Sequence, residues 1–468
     1  MSRLISYEQL TDGQKHAFDV AMRRIAKGKN TIIQGHAGTG KTTLMRCFVQ
    51  FLTQKGLRVL LCAPTHAAKK VLGKTVGKRA YTLHCVLKIN PNTYEDELVF
   101  DQRKVPKFDD YDVIVIDECS MIDHKLFAIM MRSIPSRIAI VGLGDKEQIR
   151  PVAPKESVPQ RSPIFGDDRF ELVTLTQVKR NGGALLDVAT EIRNGAWISP
   201  RTDDGLTGVF KHETLNTFFQ QYFSVVHTPE DFHNVRILAY TNKSVNKLNG
   251  IVRRSIYGQN VGPVVKDEIL VMQEPYMVEK KSADGEKIVD VIYNNGEQIK
   301  VLNFHPVKIE LSCKYMEESA MINAIAIETI SIDDEDDESR NFGKVDALKD
   351  LQVEAGSETE QQTHWINVIM DEFEENRYHN YMSSLAGRYR EMLANGKRVR
   401  WDRFWELKRQ FQRARALPAT TYHKSQGSTV DQVFLFTPDL NNPNLDGEQV
   451  GELLYVGTTR ARTRVDYV

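Results

Sequence analysis

Residues Gly35 to Thr42 read GHAGTGKT, set between an apolar run, Thr31-Ile32-Ile33, and a helix-patterned segment from Leu44 to Leu52. This is the spacing G-x-x-x-x-G-K-[ST] in a strand-before, helix-after context, and no other stretch constrains the fold as strongly. The glycines let successive backbone N–H groups turn inward onto phosphate oxygens at a helix N-terminus, where a lysine neutralises the β and γ oxygens and a hydroxyl reaches Mg2+. Gly35, Ala37, Gly38, Thr39, Gly40, Lys41, Thr42 and Thr43 are therefore candidate nucleotide-binding residues, with Thr42 also a metal ligand. Chance produces the bare pattern in roughly two of a hundred chains of this length, so a second motif has to support it.

Val113-Ile114-Val115-Ile116-Asp117-Glu118 supplies that support, an apolar strand ending in two acids. Asp117 suits the metal shell, and Glu118 suits a base or water-orienting role, because hydrolysis needs a water aimed in line at the γ-phosphate. Together the two motifs point to hydrolysis of a nucleoside triphosphate. Upstream, Gln14 carries an amide of the kind that pairs with the N6/N7 edge of adenine, and it is a candidate for ATP preference.

The surrounding chain is consistent with such a site. Up to about residue 175, short apolar runs alternate with helix-like stretches (TIIQG, VLLCAPT, VIVIDE and IAIVGLGD each precede a helical pattern or turn), which predicts a parallel sheet covered on both faces. Residues 88–107 interrupt this rhythm with a charged, turn-rich segment expected to form a protruding hairpin. A second strand-helix set starts near Arg236 and resumes at Ala419, so an insertion lies between them. Its first part alternates like small-barrel strands, and its later part is helical in pattern and dense in Trp, Tyr, Phe and Arg.

At 468 residues the chain exceeds the ~250 at which single cores stop growing, which predicts two to four domains. No segment approaches the ~18 consecutive apolar residues of a membrane span, and the N-terminus lacks a signal-peptide pattern, so a cytoplasmic protein without membrane partners is expected. Five cysteines form no CxxC pair and read as reduced thiols without a chemical role. The 62 basic and 62 acidic residues cancel, which excludes a protein that coats nucleic acid by global charge. Charge is local: Arg388 to Arg415 holds ten Lys/Arg against three acids, whereas Asp333 to Glu338 is six acids in a row.

Read in order, Gln14, GHAGTGKT, APTHAAKK (63–70), IVIDECSM (114–121), VGLGDKEQIRPV (141–152), LTQVKRN (175–181), AYTNKSVNKLN (239–249), TTYHKSQGSTVD (420–431) and YVGTTRAR (455–462) resemble the motif series of superfamily 1 helicases. Within these the chain most resembles branch 1B, the Dda-type phage helicases and their RecD-like relatives. The resemblance implies an α/β fold of two RecA-like P-loop NTPase domains. The first would span 1–175 with a pin at 88–107, and the second 176–265 with 406–468. Between them, 266–405 would form an SH3-like barrel with a helical tower. Its basic, aromatic helix from Tyr389 to Arg415 would brace the pin, guide DNA, or pack as a tower on the barrel.

The resemblance also assigns roles. Gln148 matches the glutamine that senses the γ-phosphate, with Asp145 beside it ordering the same water network. Arg180 and Arg460 match arginine fingers, and Gln426 and Gly427 lie in a nucleotide-contacting loop. Thr65, His66, Thr82, His84, Asn242, Lys243, His423 and Lys424 occupy positions of single-stranded DNA contact, and Phe100 occupies the pin tip. ATP and Mg2+ are the implied cofactors. Single-stranded DNA and single-strand/duplex junctions are the implied partners of a monomer working beside a phage single-strand-binding protein in the host bacterial cytoplasm. Movement 5′ to 3′ and a role in phage replication or recombination come from the resemblance alone.

Two other readings are distinguishable: a translocase that strips proteins from DNA or remodels forks, and a non-enzymatic single-strand-binding module with a vestigial nucleotide site. An exposed aromatic at a pin tip stacks on the last base pair. Phe100→Ala is expected to abolish strand separation in a fork-unwinding assay while DNA-stimulated ATPase is largely kept; a variant that unwinds normally removes the pin role.

Overall fold

The computed structural model describes residues 5–94, 97–102, 105–151, 160–177, 183–281, 287–332, 363–399 and 401–468. Two compact units emerge, one comprising Met1–Leu248 with Pro418–Val468 and the other Asn249–Leu417.

The first unit contains two six-stranded sheets. In the first sheet the order is Ala80–Thr82, Val59–Ala63, Val113–Ile116, Ala139–Gly144, Asn30–Gly35, Phe170–Leu175, parallel throughout. Both faces are buried because the strands are apolar at odd and even positions alike. Ile33, Leu61, Val113 and Val115 pack on one side with the helices Asp12–Ile25 and Lys41–Gln54, while Ile32, Leu60, Cys62, Ile114 and Ile116 pack on the other with the helix His124–Ser133. Period-two side-chain alternation makes that division automatic.

In the second sheet the order is Ala419–Thr421, Val235–Ala239, Val430–Leu435, Ala461–Tyr467, Gly208–Lys211, Arg201–Thr202, parallel except for the last pair. The helices Ala184–Arg193 and Gly447–Thr459 cover it. Each sheet defines a lobe. The segment 88–107 contains an antiparallel hairpin, Ile89–Tyr94 with Glu97–Gln102, in which Phe100 pairs with Pro91; the Phe100 side chain lies outside the described residues.

The second unit is an antiparallel sheet ordered His364–Val368, Ala320–Ser331, Gln298–Leu311, Ile269–Met272, Ala414–Ala416, around a core that includes Val264, Met272, Tyr293, Ile299, Val301 and Ile366. Two expectations shift here. The boundary expected at 405 falls at Leu417, because Ala414–Ala416 hydrogen-bonds to Ile269–Met272 as an edge strand of this sheet. The expected helix from Tyr389 to Arg415 is also not continuous. A helix Glu372–Ala394 stops at Asn395-Gly396, with Gly396 at φ +73°, a left-handed conformation that suits glycine at a helix end. A short helix Asp402–Lys408 and the edge strand follow. The acidic run 333–338 lies outside the described residues.

Arg58 and Asp112 fasten the starts of the strands Val59–Ala63 and Val113–Ile116. The guanidinium grips the carboxylate at 2.9 and 3.1 Å and the Arg58 amide adds a third bond at 2.9 Å. These hydrogen bonds hold the Asp112 carboxyl down at about 2. A depressed carboxyl stabilises the fold fully above its unfolded pKa of about 4 and loses that contribution as pH falls through its folded value. Asp112→Asn is expected to cost about 1 kcal/mol or less at pH 7, since the pair is partly solvated. The deficit should fade as chemical denaturation is repeated from pH 4 down to pH 2.

Candidate active site

The phosphate loop leaves the first sheet at Gly35 and turns through Gly38 and Gly40, at φ +81° and +76°. A Cβ on Gly35 would stand 2.5 Å from Thr39 Oγ1, and one on Gly40 would stand 2.4 Å from Gln14 Nε2. The loop geometry therefore needs glycine at both positions. Lys41 opens the following helix and folds its ammonium back onto the carbonyls of Gly35 and His36, the second at 3.2 Å. Gln14 is buried and braces the loop: Nε2 donates to the Thr39 and Gly40 carbonyls, both at 3.1 Å, while Oε1 accepts from Thr11 N–H at 3.0 Å. Its donor hydrogens are thus committed to the loop, a role that adenine reading did not anticipate.

Asp117 and Glu118 stand where the fully buried strand Val113–Ile116 ends, next to the strand Ala139–Gly144. Glu118 sits at φ +52°, a left-handed conformation uncommon outside glycine. Its amide donates to Asp117 Oδ1 at 3.0 Å, and its own Oε2 is buried with no hydrogen-bond partner among the described residues. Burial and then the adjacent Glu118 push the Asp117 carboxyl up to about 7, against the attraction of Lys41. Strain and an uncompensated acid pair together mark a functional position. Space behind the pair is tight: a Cβ on Gly144 would lie 2.8 Å from Cys119 Sγ.

Asp145 follows the strand Ala139–Gly144 and is completely buried. Burial works against its charge, yet His36, Lys41 and Tyr455 together hold its carboxyl below the usual carboxylate range. The His36 contact is long and poorly aligned, with Nδ1 3.4 Å from Oδ1. Asp145 also accepts from Glu147 N–H at 3.1 Å, and its carbonyl accepts from Gln148 N–H at 3.1 Å. The turn presents Gln148, whose buried Oε1 has no hydrogen-bond partner among the described residues.

The second lobe meets this turn through the helix Gly447–Thr459. Tyr455 donates its hydroxyl to Asp145 Oδ2 at 2.7 Å and accepts from Ala37 N–H at 3.0 Å. Glu448 and Glu452 pair with Arg150, and Glu448 also pairs with Arg161. Gln426 Nε2 donates to the Ile149 carbonyl at 3.3 Å, and Gly427, at φ +76°, packs against Ala68. Gln426 and Gly427, expected to contact nucleotide, here contact the first lobe. Arg460 caps the same helix and is nine-tenths buried. Its guanidinium donates to the carbonyls of Val456 and Ser428 at 3.2 and 3.3 Å and to Thr459 Oγ1 at 3.1 Å. Arg180 lies outside the described residues. Tyr455, Arg150 and Glu452 escaped the sequence reading, although Tyr455 begins the YVGTTRAR stretch.

The expected DNA contacts fall at one end of the first two strands of each sheet. Thr65, Thr82, Thr241 and Thr421 stand at four strand-to-helix junctions, each hydroxyl accepting a backbone N–H three residues on, from Ala68, Cys85, Ser244 and Lys424. His66, His84, Asn242, Lys243, His423 and Lys424 open the helices that follow. Asn242, Lys243 and Lys424 are exposed, and His66 is buried. Burial pushes the His84 and His423 imidazoles down, which leaves neutral rings at physiological pH. The His423 ring lies 6.2 Å from that of Tyr240.

Two sheets whose first five strands are parallel and in matching order, the first holding a phosphate loop and the second laying a helix against it, define a P-loop NTPase with paired RecA-like lobes. Family models match piece by piece: an AAA domain over 9–200, the Dda helicase SH3 domain over 261–416, and a UvrD-like helicase C-terminal domain over 417–465. The ATP-dependent DNA helicase Dda of Enterobacteria phage T4 is 37% identical over 468 residues, covering 99% of this chain and 100% of that protein. The chain belongs to the Dda helicase family. The ATP-dependent RecD2 DNA helicase of Deinococcus radiodurans is 29% identical over 160 residues, 34% of this chain and 20% of that protein. A Bacteroides Pif1 helicase structure, in complex with ADP-AlF3 and ssDNA, aligns with 98% of this chain and 92% of its own, at 17% identity and a TM-score of 0.45.

Glu118→Gln keeps the size of the side chain and removes its basicity. It is expected to slow ATP turnover about a hundredfold or more while nucleotide affinity is preserved. Comparing fluorescent-nucleotide titration with phosphate release checks this, and unchanged turnover would remove Glu118 from the chemistry.

Proposed function

We propose that this ATP-dependent DNA helicase moves 5′ to 3′ along single-stranded DNA and uses the movement to part duplex at forks. The carrying observation is the Tyr455 bridge, which joins the second lobe to the phosphate loop and to the turn that bears Gln148. A nucleotide held between such lobes favours one of two arrangements, and hydrolysis releases that bias.

On this reading Lys41 and the loop amides hold the triphosphate, Glu118 aims the water, and Gln148 senses the γ-phosphate. Arg180 and Arg460 stabilise charge on the transferring group; Arg460 first leaves its backbone partners in its own lobe. Gln14 contributes to ATP preference, either directly or by fixing the loop. Thr42 and Asp117 are the residues to hold Mg2+, which when bound neutralises phosphate charge during transfer. The donors fit that ion: both are oxygens, and the raised Asp117 and the unpartnered Glu118 oxygen describe an acid pair short of positive charge. No group of three or more His, Cys, Asp or Glu among the described residues is suited to a metal, and Mg2+ at a phosphate site needs only one or two carboxylates beside the nucleotide.

The threonine junctions of both lobes offer hydroxyl, amide and ammonium donors to phosphates and imidazoles to bases, a combination that grips a strand without reading it. Phe100 in the hairpin is the residue to split the incoming duplex. No helix among the described residues is long and apolar enough to cross a membrane. The setting that fits is the bacterial cytoplasm during phage replication or recombination, with the protein acting as a monomer alongside a single-strand-binding protein. ATP turnover is expected to rise steeply with single-stranded DNA, and forked duplexes with a 5′ tail are expected to unwind in a strand-displacement assay. Unwinding confined to 3′-tailed forks would reverse the assigned direction.

A further inference from the structure

The hydroxyl of Tyr455 has a single hydrogen, and both of its neighbours are fixed in type. Ala37 N–H can only donate and the Asp145 carboxylate can only accept, so the chain of bonds runs one way, from the phosphate loop through Tyr455 to Asp145. Asp145 is fully buried, where a carboxylate lacking donors is costly, and Tyr455 supplies the shorter of its two hydrogen bonds. Each end of this chain continues into the chemistry. Ala37 follows His36, whose carbonyl accepts from Lys41, and the Asp145 carbonyl accepts from Gln148. On its own side Tyr455 lies five residues before Arg460, about 7.5 Å along one helix.

We propose that Tyr455 is a positioning residue for ATP hydrolysis: its hydroxyl locks the phosphate loop and the Asp145–Gln148 turn to the helix that ends in Arg460, so that lobe closure on DNA sets all three together. The proposal rests on the helicase reading. A separation of the lobes breaks both bonds at once, so the contact is made or lost as a unit. Arg150 and Arg161 of the first lobe brace the same helix through its Glu448 and Glu452, but among the described residues these ion pairs do not reach the phosphate loop.

The test is Tyr455→Phe in the full-length protein. The ring is buried in the second-lobe core, so packing survives and only the hydroxyl goes. With a single-stranded oligonucleotide at saturation, kcat for ATP is expected to fall about tenfold to a hundredfold, the range for a hydrogen bond to a charged group. The ATP KM should move less than about threefold, the pattern of an interaction used in turnover rather than in binding. Tyr455→Phe/Asp145→Asn should turn over no more than about twofold more slowly than the worse single variant, because both remove one interaction.

Wild-type kcat in Tyr455→Phe overturns the proposal, as does a double variant whose losses multiply. A fall in kcat matched by a loss of Tm and a rise in KM assigns Tyr455 to folding alone and also overturns it. If wild-type protein shows no stimulation by single-stranded DNA, the helicase reading falls and the latch with it. A stimulated wild type with an unimpaired Tyr455→Phe removes the latch alone.

Discussion

Everything at the nucleotide site depends on one ammonium set among carboxylates that the fold has taken out of water. Lys41 acts electrostatically on Asp117 and Asp145, both at the ends of strands whose neighbours are fully apolar. In such surroundings each carboxylate needs donors or a cation, since an unpaired buried charge costs several kcal/mol. The protein treats the two acids differently. Asp145 receives Tyr455, the Glu147 amide and a distant His36, and stays ionised. Among the described residues Asp117 receives the Glu118 amide and, despite Lys41, is driven upward by burial and Glu118. One acid is thereby an anchor of the fold, and the other is prepared for cationic company.

The parallel sheet is what makes that difference possible. Its strands all end on the same side, so phosphate loop, acid pair and glutamine turn gather there without long connections. The same edge of each sheet, Ala80–Thr82 beside Val59–Ala63 in one and Ala419–Thr421 beside Val235–Ala239 in the other, ends in threonines that close the first turn of a helix. Using the hydroxyl oxygen as acceptor for the cap satisfies one of the helix's first amides, and Thr241 further donates its hydroxyl to Ser244 Oγ at 2.9 Å. Each lobe thus carries the same kind of edge, two neighbouring strands that run into threonine-capped helices.

The sequence disclosed what is local. Loop glycines, the acid pair after an apolar strand, and the alternation of strands with helices depend on neighbours a few residues apart, and these emerged where expected. Contacts made between elements far apart in the chain stayed hidden. Tyr455 meets Ala37 across 418 positions, and Arg150 meets Glu452 across 302. Neither pairing leaves a periodic or compositional mark. The boundary at Leu417 was missed for a related reason: three residues, Ala414–Ala416, become an edge strand only because Ile269–Met272 offers its hydrogen bonds. Gln14 read as a base-reading amide, and its part in bracing the phosphate loop depends on a distance the sequence does not contain.

Polar bonds join the lobes beside the apolar packing of Ile149 and Ala37 on the second-lobe core, and exchangeable bonds of this kind suit a motor. Tyr455, Gln426, Arg150, Arg161, Glu448 and Glu452 trade bonds that water can replace when the lobes part. Glu452 shows the balance, since burial pushes its carboxyl up even beside two arginines. An interface held this way has a modest free energy. A ligand that favours one arrangement by a few kcal/mol is then enough to move the whole population, as a triphosphate gripped on one side by Lys41 and on the other by the Arg460 helix would do. A tighter seam would hold the lobes shut through hydrolysis, and a looser one would let ATP turn over without moving DNA.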